Sequence, residues 1–202
     1  MPHPPKIGIF LDADGVLWPD RGSGEVLKGL PEAVIRLTEF TNALGQRDLF
    51  RIVVVTNQTL AARGDVGYLQ FRMKVRKVFK SLVKLDLIDS FKVCFHHPQA
   101  KNIFLRRKNC KCRKPSPGMI LKMTKKFNLN PKRCVLIGDR ITDIAAGQAA
   151  GITQNILINN DKAFEINEGA SGSADLVDLL EFSLHENIFE SVTMIKELEK
   201  SD

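Results

Sequence analysis

Residues 7–15 read IGIFLDADG: five apolar residues, then two aspartates one position apart, then a glycine. The apolar run, with β-branched Ile7 and Ile9, has the length and composition of a buried strand. Asp and Gly are ordinary turn residues, so the strand ends in a turn by residue type alone. The same four positions also put two carboxylates beyond the carboxyl end of a strand, where ligands gather in open α/β sheets. The rest of the chain decides between a plain turn and a site.

Short apolar runs recur at Ile52–Val55, Val93–Phe95, Val135–Ile137 and Ile156–Ile158, each followed by polar residues or glycine, and these predict further buried parallel strands. Between them lie helical patterns at Glu32–Leu44, Val66–Leu85, Pro117–Phe127 behind a Ser116 N-cap, and Thr142–Ala150 ended by Gly151. Alternating strands and helices imply an α/β fold with a Rossmann-like, doubly wound parallel sheet. With 202 residues and 44% hydrophobic content, the chain reads as a single globular domain over 1–202. The polar stretch Asn159–Ser173 reads as a loop-rich return before a C-terminal helix.

No apolar run of about 18 residues is present, and no apolar signal core follows MPHPPK, so a cytoplasmic protein with no membrane partner is expected. The net charge of +7 favours anionic partners but sets only their sign. Arg72, Lys74, Arg76, Lys77, Lys80 and Lys84 in the 66–85 helix fall between Leu69, Met73, Val75, Val78 and Leu82, the pattern of a solvated helix face.

The predicted strand ends carry a consistent chemistry. The first ends in Asp12-Ala13-Asp14-Gly15, the second in Thr56-Asn57-Gln58, and the fourth in Gly138-Asp139 with Asp143 beyond; the turn Arg113-Lys114-Pro115 precedes the third helix. On a parallel sheet these converge on one edge. They supply carboxylates for a metal, a hydroxyl and an amide for phosphate oxygens, and an ammonium to offset charge. Each signal is weak alone; in this order, each at the end of a strand or the start of a helix, they reinforce one another.

Four of the cysteines and histidines form two close pairs, Cys94-Phe-His96 and Cys110-Lys-Cys112. In a cytosolic chain such clustering reads as a metal site rather than a disulfide framework. Residues i and i+2 of an extended chain point to the same side, so each pair presents two ligands in one direction and a Cys₃His tetrahedron for structural Zn²⁺ follows. His97 would point away from His96, and Cys134 in RCVLIG reads as a core residue. Arg106, Arg107, Lys108 and Lys111 either offset thiolate charge and attract a second substrate phosphate or form a solvated basic loop.

The set Asp-x-Asp, TNQ…ARG (Thr56–Gln58, Ala62–Gly64), CxHHP (Cys94–Pro98), CxCRKPxPGM (Cys110–Met119) and IGDRxTD (Ile137–Asp143) resembles the haloacid dehalogenase (HAD) superfamily of phosphohydrolases over Lys6 to about Ile158. Within it, the motifs are similar to the branch that holds D-glycero-D-manno-heptose 1,7-bisphosphate phosphatase and histidinol-phosphate phosphatase. The resemblance implies a capless HAD-like core with a zinc-pinned loop near 94–112. It implies a phosphomonoester hydrolase with Asp12 as the nucleophile that forms an aspartyl-phosphate and Asp14 as the general acid and base. Thr56 and Lys114 then contact the transferring phosphoryl group, and Asn57, Gln58, Arg63 and Arg113 bind substrate. Mg²⁺ is expected on Asp12, the main-chain carbonyl of Asp14 and Asp139, with Asp143 behind them.

The expected substrate is a small sugar bisphosphate, with histidinol phosphate as the alternative. A nucleic-acid 3′-phosphatase or end-binding protein is the reading from another class, but one Trp and one Tyr offer few stacking rings, so no nucleic-acid partner is expected. A monomer is expected. The branch commonly has arginine where Ala13 stands, threonine where Val16 stands and Ser-Gly where Thr59-Leu60 stand; Ala13 and Val16 leave the chemistry intact, while Trp18, Thr59 and Leu60 are expected to make the mouth of the site bulkier and more apolar.

Overall fold

The computed structural model describes residues 6–20, 24–158 and 181–200. Strands β1 (Ile7–Leu11), β2 (Phe50–Asn57), β3 (Ser90–Cys94), β4 (Cys134–Gly138), β5 (Gln154–Ile158) and β6 (Ser183–His185) form one sheet in the order β3-β2-β1-β4-β5-β6. Every pairing is parallel. The described residues form helices α1 (Leu30–Leu44), α2 (Leu60–Arg63), α3 (Tyr68–Lys84), α4 (Gly118–Phe127), α5 (Ile141–Ala149) and α6 (Ser191–Lys200).

Side-chain alternation along the strands divides the core into two layers. Ile7, Ile9 and Leu11 of β1, Ile52 and Val54 of β2, and Val135 and Ile137 of β4 share one face, where Leu37, Phe79 and Ile195 of α1, α3 and α6 cover them. Phe10, Val53, Val55 and Leu136 point the other way, against Met119 and Met123 of α4 and Ile144 of α5. Gly8 lies on the second face because a Cβ there would meet Cys134 Sγ and Leu129 at 2.8 Å. Both faces are covered, which is why the strands read as continuous apolar runs rather than alternating ones.

The chain runs outward from β1 through β2 to β3, then returns to β4 on the other side of β1. Beyond β1 and β4, therefore, the connections diverge and leave a crevice at the carboxyl edge of the sheet. Asp12 and Asp139 follow directly at these two strand ends, joined by Asp12 N–H donating to Ile137 O at 2.9 Å.

Two details differ from the sequence reading. Ser116 is not the N-cap of α4: Pro117 occupies that position, and the helix starts at Gly118, whose N–H donates to Lys111 O at 3.0 Å. That carbonyl would lie 2.1 Å from a Cβ on residue 118, so the docking of the loop decides where the helix begins. β6 has no counterpart among the expected strands; it is three residues long and its single aliphatic residue, Leu184, faces solvent. The expected return at 159–173 lies outside the described residues, and the C-terminal helix is present as α6. Among the described residues no helix is long and apolar enough to cross a membrane.

Candidate active site

The loop after β1 folds back on itself: Leu17 N–H donates to Ala13 O and Gly15 N–H to Trp18 O, both at 2.8 Å. Gly15 has φ +79°, and a Cβ there would overlap the Asp139 carboxylate, so glycine lets the β4 aspartate lie against the β1 loop. Asp12, Asp139 and Asp143 each bring one carboxylate oxygen to within 4.8 Å of the others.

Lys114 enters this acidic cluster from the turn before α4. Its Nζ lies 2.7 Å from Asp12 Oδ1 and 2.7 Å from Asp143 Oδ1, and it donates to Val55 O at 2.8 Å. The turn is fastened to β2 by Asn57, whose side-chain amide donates to Lys114 O at 3.1 Å and accepts from Lys114 N–H at 3.2 Å. Asn57 thus places Lys114 by using both of its polar atoms on the main chain. Asp143 is held in turn by Arg140 N–H, which donates to its Oδ2 at 3.0 Å. Gly138 permits this approach, since a Cβ there would overlap the Asp143 side chain.

The cluster holds more negative than positive charge in a buried place. Burial, with Asp143 and Asp14 added and Lys114 opposing, pushes Asp12 up to about 7. Burial, then Asp12 and Asp143, push Asp139 up to about 9. Burial disfavours the Lys114 ammonium, but Asp12 and Asp143 outweigh it and hold its pKa above the usual lysine range. One ammonium does not balance three carboxylates. An all-oxygen donor set with surplus negative charge fits a hard divalent cation.

Asp14 has a different setting. Trp18 Nε1 donates to its Oδ1 and Gln58 Nε2 to its Oδ2, each at 2.7 Å, and Gln58 also donates to Thr56 Oγ1 at 3.1 Å. Burial raises the Asp14 pKa against the pull of these two donors. Trp18, expected to make the mouth apolar, is instead fully buried. It packs against Gly29 and lies 6.1 Å from the Phe79 ring, with its N–H on Asp14. The sequence signal for this was the four-residue spacing from Asp14 within one tight loop.

The second cluster sits beside β3. The six distances among Cys94 Sγ, His96 Nδ1, Cys110 Sγ and Cys112 Sγ run from 3.2 to 3.8 Å. A tetrahedral site with bonds of about 2.3 Å has edges of about 3.8 Å, whereas a disulfide would bring two sulfurs to about 2.05 Å. The four cysteines are free thiols, and the donor set suits Zn²⁺. His97 stays out of the cluster, its Nδ1 accepting from Gln99 N–H at 3.2 Å. Contact with Cys94 holds the Cys112 thiol down at about 5. Arg113 Nη1 donates to His96 O at 3.3 Å, which ties this cluster to the residue before Lys114. The Arg113 guanidinium is partly buried and repelled by those of Arg63 and Arg140, so the three stand near one another; Arg63 itself is exposed.

The HAD-hydrolase-like family model matches residues 111–174. The D-glycero-beta-D-manno-heptose-1,7-bisphosphate 7-phosphatase of Pasteurella multocida is 33% identical over 164 residues, covering 78% of this chain and 84% of that protein. The Escherichia coli K12 protein of the same description is 32% identical over 176 residues, covering 84% and 86%. The chain belongs to this family of HAD phosphatases. A D,D-heptose 1,7-bisphosphate phosphatase from B. bronchiseptica, solved with magnesium and phosphate, has the same fold with a TM-score of 0.64 at 23% identity, covering 95% of this chain and 98% of that one. In this HAD phosphatase, both clusters that could hold a metal ion lie at the carboxyl edge of the sheet, one at the β1–β4 crevice and one beyond β3.

Proposed function

We propose that the protein is a Mg²⁺-dependent sugar bisphosphate phosphatase, acting on D-glycero-D-manno-heptose 1,7-bisphosphate or a close relative through an aspartyl-phosphate at Asp12. The observation that carries this reading is the Lys114 ammonium held at 2.7 Å from both Asp12 and Asp143 beside Asp139, in a chain of this family. Mg²⁺ bound by Asp12, Asp139 and the Asp14 main-chain carbonyl, with Asp143 behind them, would offset phosphate charge that otherwise repels a carboxylate nucleophile.

Lys114 fixes one oxygen of Asp12 and leaves the other to attack phosphorus. The ester P–O bond breaks as the Asp12–phosphorus bond forms, and the leaving oxygen takes a proton from Asp14. Asp14, now a carboxylate held by Trp18 and Gln58, takes a proton from water, which attacks the phosphoryl group and releases phosphate and Asp12. Thr56 donates to a phosphoryl oxygen. Arg113 and Arg63 take the remote phosphate, for which a guanidinium fork is suited, and Gln58 acts at the substrate through Asp14 and Thr56. Cys94, His96, Cys110 and Cys112 would hold a Zn²⁺ in a structural role, fixing the loop that delivers Arg113 and Lys114.

The test is phosphate release by purified enzyme with Mg²⁺ across heptose bisphosphate, histidinol phosphate, other sugar phosphates and a 3′-phosphorylated oligonucleotide. The heptose bisphosphate is expected to have the highest kcat/KM. A preference for histidinol phosphate or the oligonucleotide would overturn the substrate while leaving the chemistry.

A further inference from the structure

The positive charge of this chain is unevenly distributed. There is no Asp or Glu between Asp89 and Asp139, and residues 90–138 hold thirteen of the 30 Lys and Arg. Outside that span 17 cations meet 23 acids, so the remainder is net acidic. α3 adds six more cations between Asp65 and Asp86 with no acid among them. These segments adjoin in space. α3 and α4 flank edge strand β3 on its two faces, and the Lys92 ammonium of that strand is repelled by Lys122 and Lys126 of α4 and by Arg76 of α3. A surface groove along α3 is lined by Met73, Arg76, Lys77, Lys80, Ser81 and Lys84. Arg76, Lys77, Lys80 and Lys84 of this groove are in no salt bridge among the described residues.

Exposed apolar surface lies in the same part of the chain. Eight of the eleven large hydrophobic residues that are exposed among the described residues fall within 66–138. The most exposed are Phe104 at 82% and Ile103 at 70%, at the apex of the Cys-His loop, followed by Leu69 at 67% and Met73 at 64% on α3. The loop apex is well fastened. Phe104 N–H donates to Asn102 Oδ1 at 3.0 Å, Lys101 N–H to Ala62 O at 2.9 Å and Arg106 Nε to Ala100 O at 2.8 Å, while Leu105 is buried in the core. Ile103 and Phe104 are thus held outward by a rigid frame, with Lys101, Arg106, Arg107 and Lys108 around them. Lys101 also lies beside Gly64, and Tyr68 at the start of α3 lies 5.7 Å from the Phe95 ring at the base of the loop, which brings the loop near the start of α3.

Cations alone suit any polyanion. Cations around protruding aliphatic and aromatic side chains suit an anionic surface with an apolar layer beneath it. A single-stranded nucleic acid would use several flat rings for stacking, and Phe104 is the one exposed aromatic ring among the described residues of 66–138. We propose that α3 and the apex of the Cys-His loop dock the protein peripherally on an anionic lipid surface, with Ile103 and Phe104 entering the headgroup layer. The proposal departs from the reading of α3 as a solvated face and from the expectation of no membrane partner, and it needs no membrane-spanning helix.

The experiment is co-sedimentation of the full chain with vesicles of phosphatidylcholine alone or mixed with phosphatidylglycerol, at low and high salt. Binding is expected only to the mixed vesicles and should weaken as salt rises. Ile103→Ser combined with Phe104→Ser is expected to lower the partition coefficient at least about tenfold. Lys77→Glu combined with Lys80→Glu, on a helix away from the loop, should lower it as well. Metal content and turnover of a soluble phosphate ester should stay unchanged in both variants. No binding to mixed vesicles at low salt, equal binding to phosphatidylcholine alone, or wild-type binding by either variant would overturn the proposal. So would an oligonucleotide that displaces the protein from vesicles and binds the Ile103/Phe104 variant as tightly as the wild type.

Discussion

The carboxylate cluster and the thiol-imidazole cluster are built in opposite ways. Asp12, Asp139 and Asp143 extend from β1, β4 and α5, elements already held by a core that includes Phe10, Ile137 and Ile144 at full burial. There the fold makes the site, and the charges brought together oppose folding until a cation offsets them. Cys94, His96, Cys110 and Cys112 hang from an edge strand and a loop in which, from Pro98 to Asn109, only Ala100 and Leu105 are buried. There little apolar surface is buried, so hydrogen bonds such as Lys101 N–H to Ala62 O and Arg106 Nε to Ala100 O hold the apex, and a bound metal would supply at the loop's base what the core does not. Under the proposed function, a metal at the first cluster would serve chemistry and one at the second would serve structure.

The largest effect expected from this contrast is at Asp12. Asp12→Asn should lower phosphate release by roughly 10⁵-fold or more, because the covalent route is lost rather than slowed. Its melting temperature should hold or rise, since one of three mutually repelling carboxylates is gone while Lys114 keeps Asp143. A variant that melts well below the wild type would show that the acidic cluster also supports the fold, and the contrast would break.

At the other cluster the loss should be of stability first. Cys110→Ser is expected to lose the bound zinc, read by elemental analysis, and to lower the melting temperature by about 5–15 °C, a few kcal/mol for a chain of this length. The sheet should persist in far-ultraviolet circular dichroism. Unchanged zinc content and melting temperature would remove the structural role.

The smallest effect sharpens the picture inside the acidic site. Trp18→Phe removes one of two donors to Asp14, and a hydrogen bond to a charged group is worth about 1.5–3 kcal/mol. If Trp18 positions the general acid, the loss should be about tenfold to a hundredfold on an alkyl phosphate and much smaller on a nitrophenyl phosphate, whose leaving group hardly needs a proton. Equal losses on both would make Trp18 a packing residue only. Trp18 is also the single tryptophan of the chain, so its fluorescence reports directly on the Asp14 environment.

The strand ends were legible because an apolar five-residue run such as IGIFL, buried on both faces, admits little else, and because Asp, Thr, Lys and Gly at its end carry their chemistry in their residue type. The two cysteine pairs were legible for a related reason. Positions i and i+2 of an extended chain share a side, so local spacing already placed two donor side chains together. β6 was not legible, because three residues with an outward leucine bury too little to leave a pattern.

What the sequence by itself determined is therefore the local part: which runs become strands, in which order the α/β units follow, and which reactive groups stand at each strand end. What only the tertiary structure decided is how distant segments meet. Asn57 spends its amide on the main chain of Lys114, Trp18 turns its N–H inward to Asp14, and Lys111 O sets the start of α4. The absence of acids between Asp89 and Asp139 could be counted in the sequence, but the outward exposure of Ile103 and Phe104 on a loop held by Lys101 N–H and Arg106 Nε could not. The physical reason is common to all of these. A side chain's partner depends on distances between segments far apart in the chain, and those are set by packing of the whole core, whereas strand and helix periodicity needs only near neighbours.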